Sequence, residues 1–352
     1  MKFFFMSFDI LDFLTGFQNS QVIGGAEKQQ FLLINELMRR GHTVLTCTNY
    51  DALPEAIRYN ILRYPSERKY LKYILVFLRL LRFNPDVVYL RSPSNIGLTL
   101  CLYTFFFRKK MVFFSAHDTD FEPSINLQGY NEYLFSFFTK LVDLFFVQNA
   151  YQANLLKSHF GRESILFGNI IAVRNDPARI APNARKYFLW VGRVERFKRL
   201  ELLCEIAAML PHENFIVIGP SRETNAYSQS ILKRIAAIKN IQYIPFVDPG
   251  QIDKFFSMAK GLICTSEYEG FPNTFLEAWN NSTPVYSLGV DPNGIIAKAK
   301  GKLGYVFASK DDLVNRIPDL VKLQDLNYMY QYLKNAHSLE ANVDLLLRKV
   351  SE

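Results

Sequence analysis

The sequence is short of cysteine, of tryptophan and of long apolar runs, and each shortage removes a class of protein. Its four cysteines, Cys47, Cys101, Cys204 and Cys264, lie far apart among apolar neighbours. No C-x-x-C pair and no metal-ligand spacing occurs, which excludes a disulfide framework or a zinc module and leaves buried thiols in a reducing compartment. No apolar stretch has the length of a membrane-spanning helix: Ile96–Phe107 is too short, and Lys140 and Asp143 break Leu134–Val147. Met1 to Leu14 have the hydrophobicity of a signal peptide, but Asp9 and Asp12 interrupt them and no small-residue cleavage site follows. They read as a first strand. The dinucleotide fingerprint G-x-G-x-x-G is missing after that strand. A charged fraction of 21% beside a hydrophobic fraction of 49% excludes general disorder.

What is present fits two domains of ordinary size in 352 residues. The net charge of +8 is concentrated: between Arg58 and Arg82 stand seven Lys or Arg residues and one acidic residue, Glu67. As a helix, Lys69–Arg82 puts Lys69, Lys72, Arg79 and Arg82 on one face, opposite Leu71, Ile74, Leu75 and Leu78. Such a helix suits either an anionic membrane surface or a solvated outer face of a domain. No finger, homeodomain or RNP signature accompanies it, so nucleic acid is not the expected partner.

Short β-branched and aromatic runs alternate with longer amphipathic ones, the pattern of a parallel α/β sheet. Strands are expected at Phe3–Phe8, Val44–Thr48, Val87–Leu90, Val112–Ser115 and Phe145–Gln148, with helices at Ala26–Arg40, Lys69–Arg82, Asn95–Phe107 and Ala150–Phe160. The polar, proline-containing stretch Arg174–Lys186 reads as a linker. The alternation then restarts, with strands at Phe188–Val191, Phe215–Ile218, Ile241–Ile244, Leu262–Cys264 and Val285–Ser287. Helices at Leu200–Met209, Ala226–Lys239, Gln251–Ala259 and Thr274–Asn280 separate them, and the tail Leu326–Glu352 is helical by pattern.

Five clusters fall at the carboxyl ends of these strands, where ligands bind in doubly wound folds. Gly24-Gly25 precedes a helix whose N-terminus suits phosphate. His117-Asp118-Thr119-Asp120 admits three readings: a metal-binding aspartate pair, a polar contact lining a cleft, or a strand-end turn. A metal site needs more oxygen ligands than the sequence offers nearby. Gly192-Arg193 and then Lys198 bring a planar fork and a mobile point charge to one strand-to-helix turn, both suited to a diphosphate. Gly219-Pro220-Ser221 ends the next strand. The most specific cluster is Ser266 to Ala278, in which Glu269 sits on a loop, Gly270, Phe271 and Asn273 present amides at a helix start, and Glu277 lies on that helix about two turns in.

In this order the clusters resemble glycosyltransferase family 4, the retaining enzymes of the α/β GT-B fold, with two Rossmann-like domains facing each other across a cleft. The resemblance is strongest at Phe188–Leu203 and at Cys264–Leu288, with its Glu269…Glu277 pair and Thr283-Pro284-Val285. Tyr89-Leu90-Arg91, Ala116-His117-Asp118, Gln148 and Gln152 are similar to members that build bacterial surface polysaccharides. Pro272 stands where relatives often carry glycine, and Asn175-Asp176 where they often carry Asn-Gly.

The resemblance implies an acceptor-side domain over residues 1–175, completed by a C-terminal helix near 340–352, and a nucleotide-sugar domain over 176–339. It implies that Arg193 and Lys198 neutralise the departing diphosphate and that Glu277 holds the ribose. Glu269 would hold donor-sugar hydroxyls and His117 would contact the transferred sugar. Gly24, Gly25, Gly192, Gly219, Gly270, Phe271 and Asn273 would approach the donor by their backbones. No metal or other cofactor is implied. The expected activity is transfer of a hexose or N-acetylhexosamine from a nucleotide sugar, UDP-linked ahead of GDP-linked, to a lipid-linked glycan in polysaccharide biosynthesis. The expected place is the cytoplasm, at the inner face of the membrane. Rival readings are a nucleotide-sugar epimerase of the same fold and a catalytically silent partner of an assembly complex.

Overall fold

A computed structural model describes residues 1–15, 24–49, 58–64, 70–122, 132–174, 181–221, 226–320 and 326–352. The chain divides into two compact units, Met1–Ile170 with Leu339–Glu352, and Ile171–Ser338. The division precedes residue 175 because Ile171 is tied into the second unit. Its N–H donates to the His337 carbonyl at 2.9 Å, and it forms a parallel bridge with Ser338. Lys69 and the linker residues 175–180 lie outside the described residues.

The first unit runs β1 (Lys2–Met6), α1 (Leu11–Thr15), α2 (Gly25–Arg39), β2 (Thr43–Thr48), β3 (Asn60–Arg63), α3 (Leu71–Phe83), β4 (Val87–Arg91), α4 (Gly97–Phe107), β5 (Lys110–Phe114), α5 (Glu132–Leu141), β6 (Leu144–Val147), α6 (Ala150–Phe160) and β7 (Ile165–Leu166). The strands form one parallel sheet in the order β3-β2-β1-β4-β5-β6-β7. Both faces are covered, which is why β1 is apolar without alternation. Phe3 and Phe5 pack on the α2 side, with Leu33, Ile34 and Leu37. Phe4 and Met6 pack on the other side, with Leu80, Leu100 and Cys101.

The second unit runs β8 (Tyr187–Val191), α7 (Leu200–Met209), β9 (Phe215–Ile218), α8 (Ala226–Ala236), β10 (Ile241–Ile244), α9 (Ile252–Met258), β11 (Ala259–Cys264), α10 (Asn273–Asn280), β12 (Val285–Ser287), α11 (Ile295–Lys298), β13 (Gly304–Val306), α12 (Lys310–Leu320) and α13 (Leu326–Ala336). Its parallel sheet has the order β10-β9-β8-β11-β12-β13. The last helix, α14 (Leu339–Ser351), belongs to the first unit. Two parallel α/β sheets of this order are the GT-B pair of Rossmann-like domains.

Three features refine the expectations. The helical tail is two helices, and the C-terminal one returns to the first unit as expected: α13 packs on α10, the chain breaks at His337-Ser338, and α14 packs on α2. Arg40, the C-cap of α2, pairs with Asp344 and donates to the Glu340 carbonyl, and it shares Glu36 with Arg39. These guanidinium groups, Arg39 first, hold the buried Glu36 carboxyl down to about 2. The second concerns α3, whose buried positions are Val76 and Leu80, while Leu71, Ile74 and Leu78 face outward. Third, β3, β7 and β13 were not expected; each is short, partly exposed and at a sheet edge, so its hydrophobic pattern is weak.

All four cysteines are free and buried, and burial pushes the Cys47 thiol up to about 12 and Cys204 to about 11.

Candidate active site

In each sheet the strand order reverses beside the first strand of its unit, between β1 and β4 and between β8 and β11. A crevice opens where the connections diverge to opposite faces, and the loops leaving the two strands line it. In the second unit those loops are Gly192–Arg199 and Thr265–Pro272, which carry the two most specific clusters of the sequence.

The two loops are fastened together. Arg199, in the left-handed region at φ 47°, donates to the Thr265, Ser266 and Leu288 carbonyls at 2.7, 3.1 and 2.8 Å. Trp190 Nε1 donates to Thr265 Oγ1 at 3.0 Å, and that hydroxyl donates to the Lys198 carbonyl at 2.5 Å. The Glu267 N–H reaches the Phe197 carbonyl at 2.8 Å, and the Phe197 and Tyr268 rings stack at 5.2 Å. Held on this body, Lys198 Nζ pairs with Glu269 Oε1, each side chain less than a fifth exposed (18% and 17%). Arg193 Nη1 lies 3.3 Å from Glu195 Oε1. Arg199 is therefore a tie between loops, a role that nothing in the sequence distinguishes from that of its neighbour Arg196.

The β9 loop joins from the side. Gly192 N–H donates to the Ile218 carbonyl and Val194 N–H to the Pro220 carbonyl, both at 3.0 Å. Gly219 takes φ 152°, and a Cβ there would fall 1.8 Å from the Gly192 oxygen. Only glycine fits this approach.

Helix α10 starts at Asn273, so its positive dipole end lies at the exit of the Glu269–Pro272 loop. Glu277 is its fifth residue, one turn in rather than two, because the helix begins directly after Pro272. The Phe271 ring is buried against His337 at 4.7 Å, which leaves only its backbone to meet a ligand. Gly192, Arg193, Lys198, Gly219, Glu269, Gly270, Phe271, Asn273 and Glu277 thus share the carboxyl-end loops of one sheet.

The remaining candidates belong to the first unit. Gly24 is the N-cap of α2, and a methyl group added there would overlap the Glu27 carboxylate, which folds back over the helix start. His117 is exposed and caps a 3-10 turn, Asp118–Phe121. Asp120 Oδ2 accepts from Ala116 N, His117 N and Ser115 Oγ at 2.7, 3.2 and 3.1 Å. Asp118 Oδ1 accepts from Asn149 Nδ2 and Gln152 Nε2 at 2.9 and 3.0 Å. Burial raises both carboxyls above the usual range, against these hydrogen bonds. The aspartates therefore build the turn that presents His117. Among the described residues no three His, Cys, Asp or Glu side chains are grouped to hold a metal ion.

A family model described as glycosyltransferase family 4 matches residues 23–166, and one described as glycosyl transferases group 1 matches residues 174–338. Among solved structures, a sucrose-phosphate synthase from Thermosynechococcus elongatus superposes with a TM-score of 0.75 at 14% identity, covering 99% of this chain and 98% of that one. The lipopolysaccharide outer core galactosyltransferase WaaB gives 0.69 at 16%, covering 99% of each chain. TarM from S. aureus, solved with UDP and an α-GlcNAc-glycerol, gives 0.64 at 15%, covering 80% of this chain. The present chain spans 59% of that protein's length. No curated protein matches the sequence.

Proposed function

Because this chain belongs to the family 4 glycosyltransferases, we propose that its second unit binds a nucleotide sugar and that the enzyme transfers a hexose or N-acetylhexosamine with retention of anomeric configuration. The observation that carries this is the Lys198–Glu269 pair, held where the β8 and β11 loops meet. In the free protein each charge satisfies the other. A donor diphosphate takes over Lys198, joined by Arg193, and releases Glu269 to the hydroxyls of the donor sugar. Glu277 on α10 holds the ribose, and the α10 N-terminus adds its dipole to the phosphates.

As the sugar leaves, negative charge grows on the diphosphate, so Arg193 and Lys198 act most strongly in the transition state. A departing phosphate oxygen takes the acceptor hydroxyl's proton while the acceptor oxygen bonds the anomeric carbon from the same face. Side chains and helix dipole meet the charge, and no metal or other cofactor is assigned a role. The first unit is assigned the acceptor, with His117 contacting the transferred sugar and the Gly24-Gly25 turn contributing backbone groups. A UDP-sugar is favoured; a bacterial relative of this fold is solved with UDP.

The acceptor is proposed to be a lipid-linked glycan of polysaccharide biosynthesis, met by a cytoplasmic enzyme at the membrane surface. No helix among the described residues is long and apolar enough to cross a membrane. Instead α3, α4 and α5 expose Ile74, Leu78, Phe105, Phe106 and Phe137 beside Arg79, Arg82, Arg108 and Lys140, a combination suited to anionic lipid.

Thermal unfolding with UDP-, GDP-, ADP- and dTDP-sugars, with and without Mg²⁺, tests the donor site. A ligand at a hundredfold its dissociation constant stabilises by about 2.7 kcal/mol. One nucleotide should shift the transition without metal, and Lys198→Ala should abolish the shift. Absence of any shift in well-folded protein removes the donor site and favours a silent partner.

A further inference from the structure

A small cavity lies in the first unit at the carboxyl ends of β4, β5 and β6, with a volume of about 10 Å³, room for one oxygen-sized group. Three buried polar atoms on its wall find no hydrogen-bond partner among the described residues: the Tyr89 hydroxyl, Arg91 Nε and Gln148 Oε1. Tyr89 is 2% exposed and Gln148 6%, so bulk water does not serve them, and orphaned groups of this kind call for an occupant. Arg91 is near enough to act on the Tyr89 hydroxyl, yet no hydrogen bond of regular geometry joins them.

Two neighbouring nitrogens are already engaged. Gln148 Nε2 and Arg91 Nη2 both donate to Asn169 Oδ1, at 2.7 and 3.3 Å. The unpartnered atoms on the wall are thus one donor (Arg91 Nε–H), one acceptor (Gln148 Oε1) and one hydroxyl able to do either. A carboxylate or phosphate oxygen satisfies Arg91 but meets Gln148 Oε1 lone pair to lone pair. An ammonium group fails in the opposite sense. A neutral hydroxyl satisfies all three. The cavity also shares the turn that presents His117, since Ser115 lines it and its Oγ, which donates to Asp120 Oδ2 at 3.1 Å, belongs to that turn.

We propose that this cavity is a subsite for a single hydroxyl group of a sugar acceptor, selecting a neutral polyol over an anionic group. The proposal rests on the transferase reading above. A resident water is the other source of the same chemistry, and the test separates the two.

Tyr89→Phe removes only the hydroxyl and keeps the ring contacts with Phe5 and Phe114, at 4.3 and 4.8 Å between centroids. Melting temperature and NMR-detected binding of methyl glycosides at millimolar concentration are measured for wild type, Tyr89→Phe and Arg91→Lys. For an acceptor subsite, Tyr89→Phe leaves the melting temperature of the free protein unchanged or higher, because an unsatisfied buried hydroxyl is gone. At least one glycoside binds fivefold or more weakly to both variants, while nucleoside diphosphate binding is unaltered. A fall of several degrees in melting temperature with unaltered glycoside binding identifies a structural water and overturns the subsite. Glycoside binding that is equal in all three proteins, or missing in wild type, overturns it too. Failure of the donor reading is separate: wild type then binds no nucleoside diphosphate, whatever the glycosides do.

Discussion

At Gly219 the backbone adopts φ 152° and a side chain would overlap the Gly192 carbonyl, so one methyl group reaches the loop that carries Arg193. Gly161, at φ 64° with open space around it, separates backbone strain from collision. Gly161→Ala should cost about 1 kcal/mol and leave nucleotide binding intact. Gly219→Ala should cost about 2–3 kcal/mol and weaken nucleotide binding at least tenfold. Melting curves and titrations decide; equal effects at the two positions would mean that the close approach does not shape the donor loop.

Much of this site was legible at the residue scale, because Gly192-Arg193…Lys198 and Glu269…Glu277 are rare strings tied to a known chemistry. Their mutual arrangement was not. That Lys198 and Glu269 pair and that Arg199 clamps three carbonyls depend on which strands become neighbours, information absent from local spacing. The Asp118-Thr119-Asp120 string left several chemistries open until its oxygens were seen accepting from Asn149, Gln152 and the turn itself.

Among the elements, the long buried strands and most long helices were read to within a few residues, since burial on both faces leaves strong apolar runs, whereas α5 and α12 were not expected. Periodicity left α3 open. It identified an apolar stripe along Leu71, Ile74 and Leu78 without deciding which way it faces; Val76 and Leu80 fill the core and the stripe stays outside. Two apolar faces on one short helix cannot be ranked by pattern alone. On α4, which packs against α3, Phe105 and Phe106 are 65% and 68% exposed. Exposed large apolar side chains on adjacent helices suit an interaction site. The protein should sediment with phosphatidylglycerol-containing vesicles, and replacing Phe105 and Phe106 together by Asp should reduce partitioning about tenfold or more. Equal partitioning of both proteins, or equal binding to phosphatidylcholine vesicles, would remove this surface from the membrane contact.

For the whole molecule, the sequence shows two rounds of strand and helix, and the structure shows two parallel sheets with a reversal in each. The return of the last helix to the first unit was implied by the family resemblance, not by the local pattern. Where the tail breaks follows from the Ile171–Ser338 bridge and the Arg40–Asp344 pair, contacts far apart in sequence.

The measurement that bears most directly on the function is release of nucleoside diphosphate from the nucleotide sugar that binds, with bacterial lipid extract as acceptor and a chelator present. The expected result is steady turnover by wild type and a loss of about 10²–10³-fold in Lys198→Ala, the scale for one preorganised charge at a developing anion. No release by wild type, or undiminished turnover in Lys198→Ala, would contradict transfer at the β8–β11 loops.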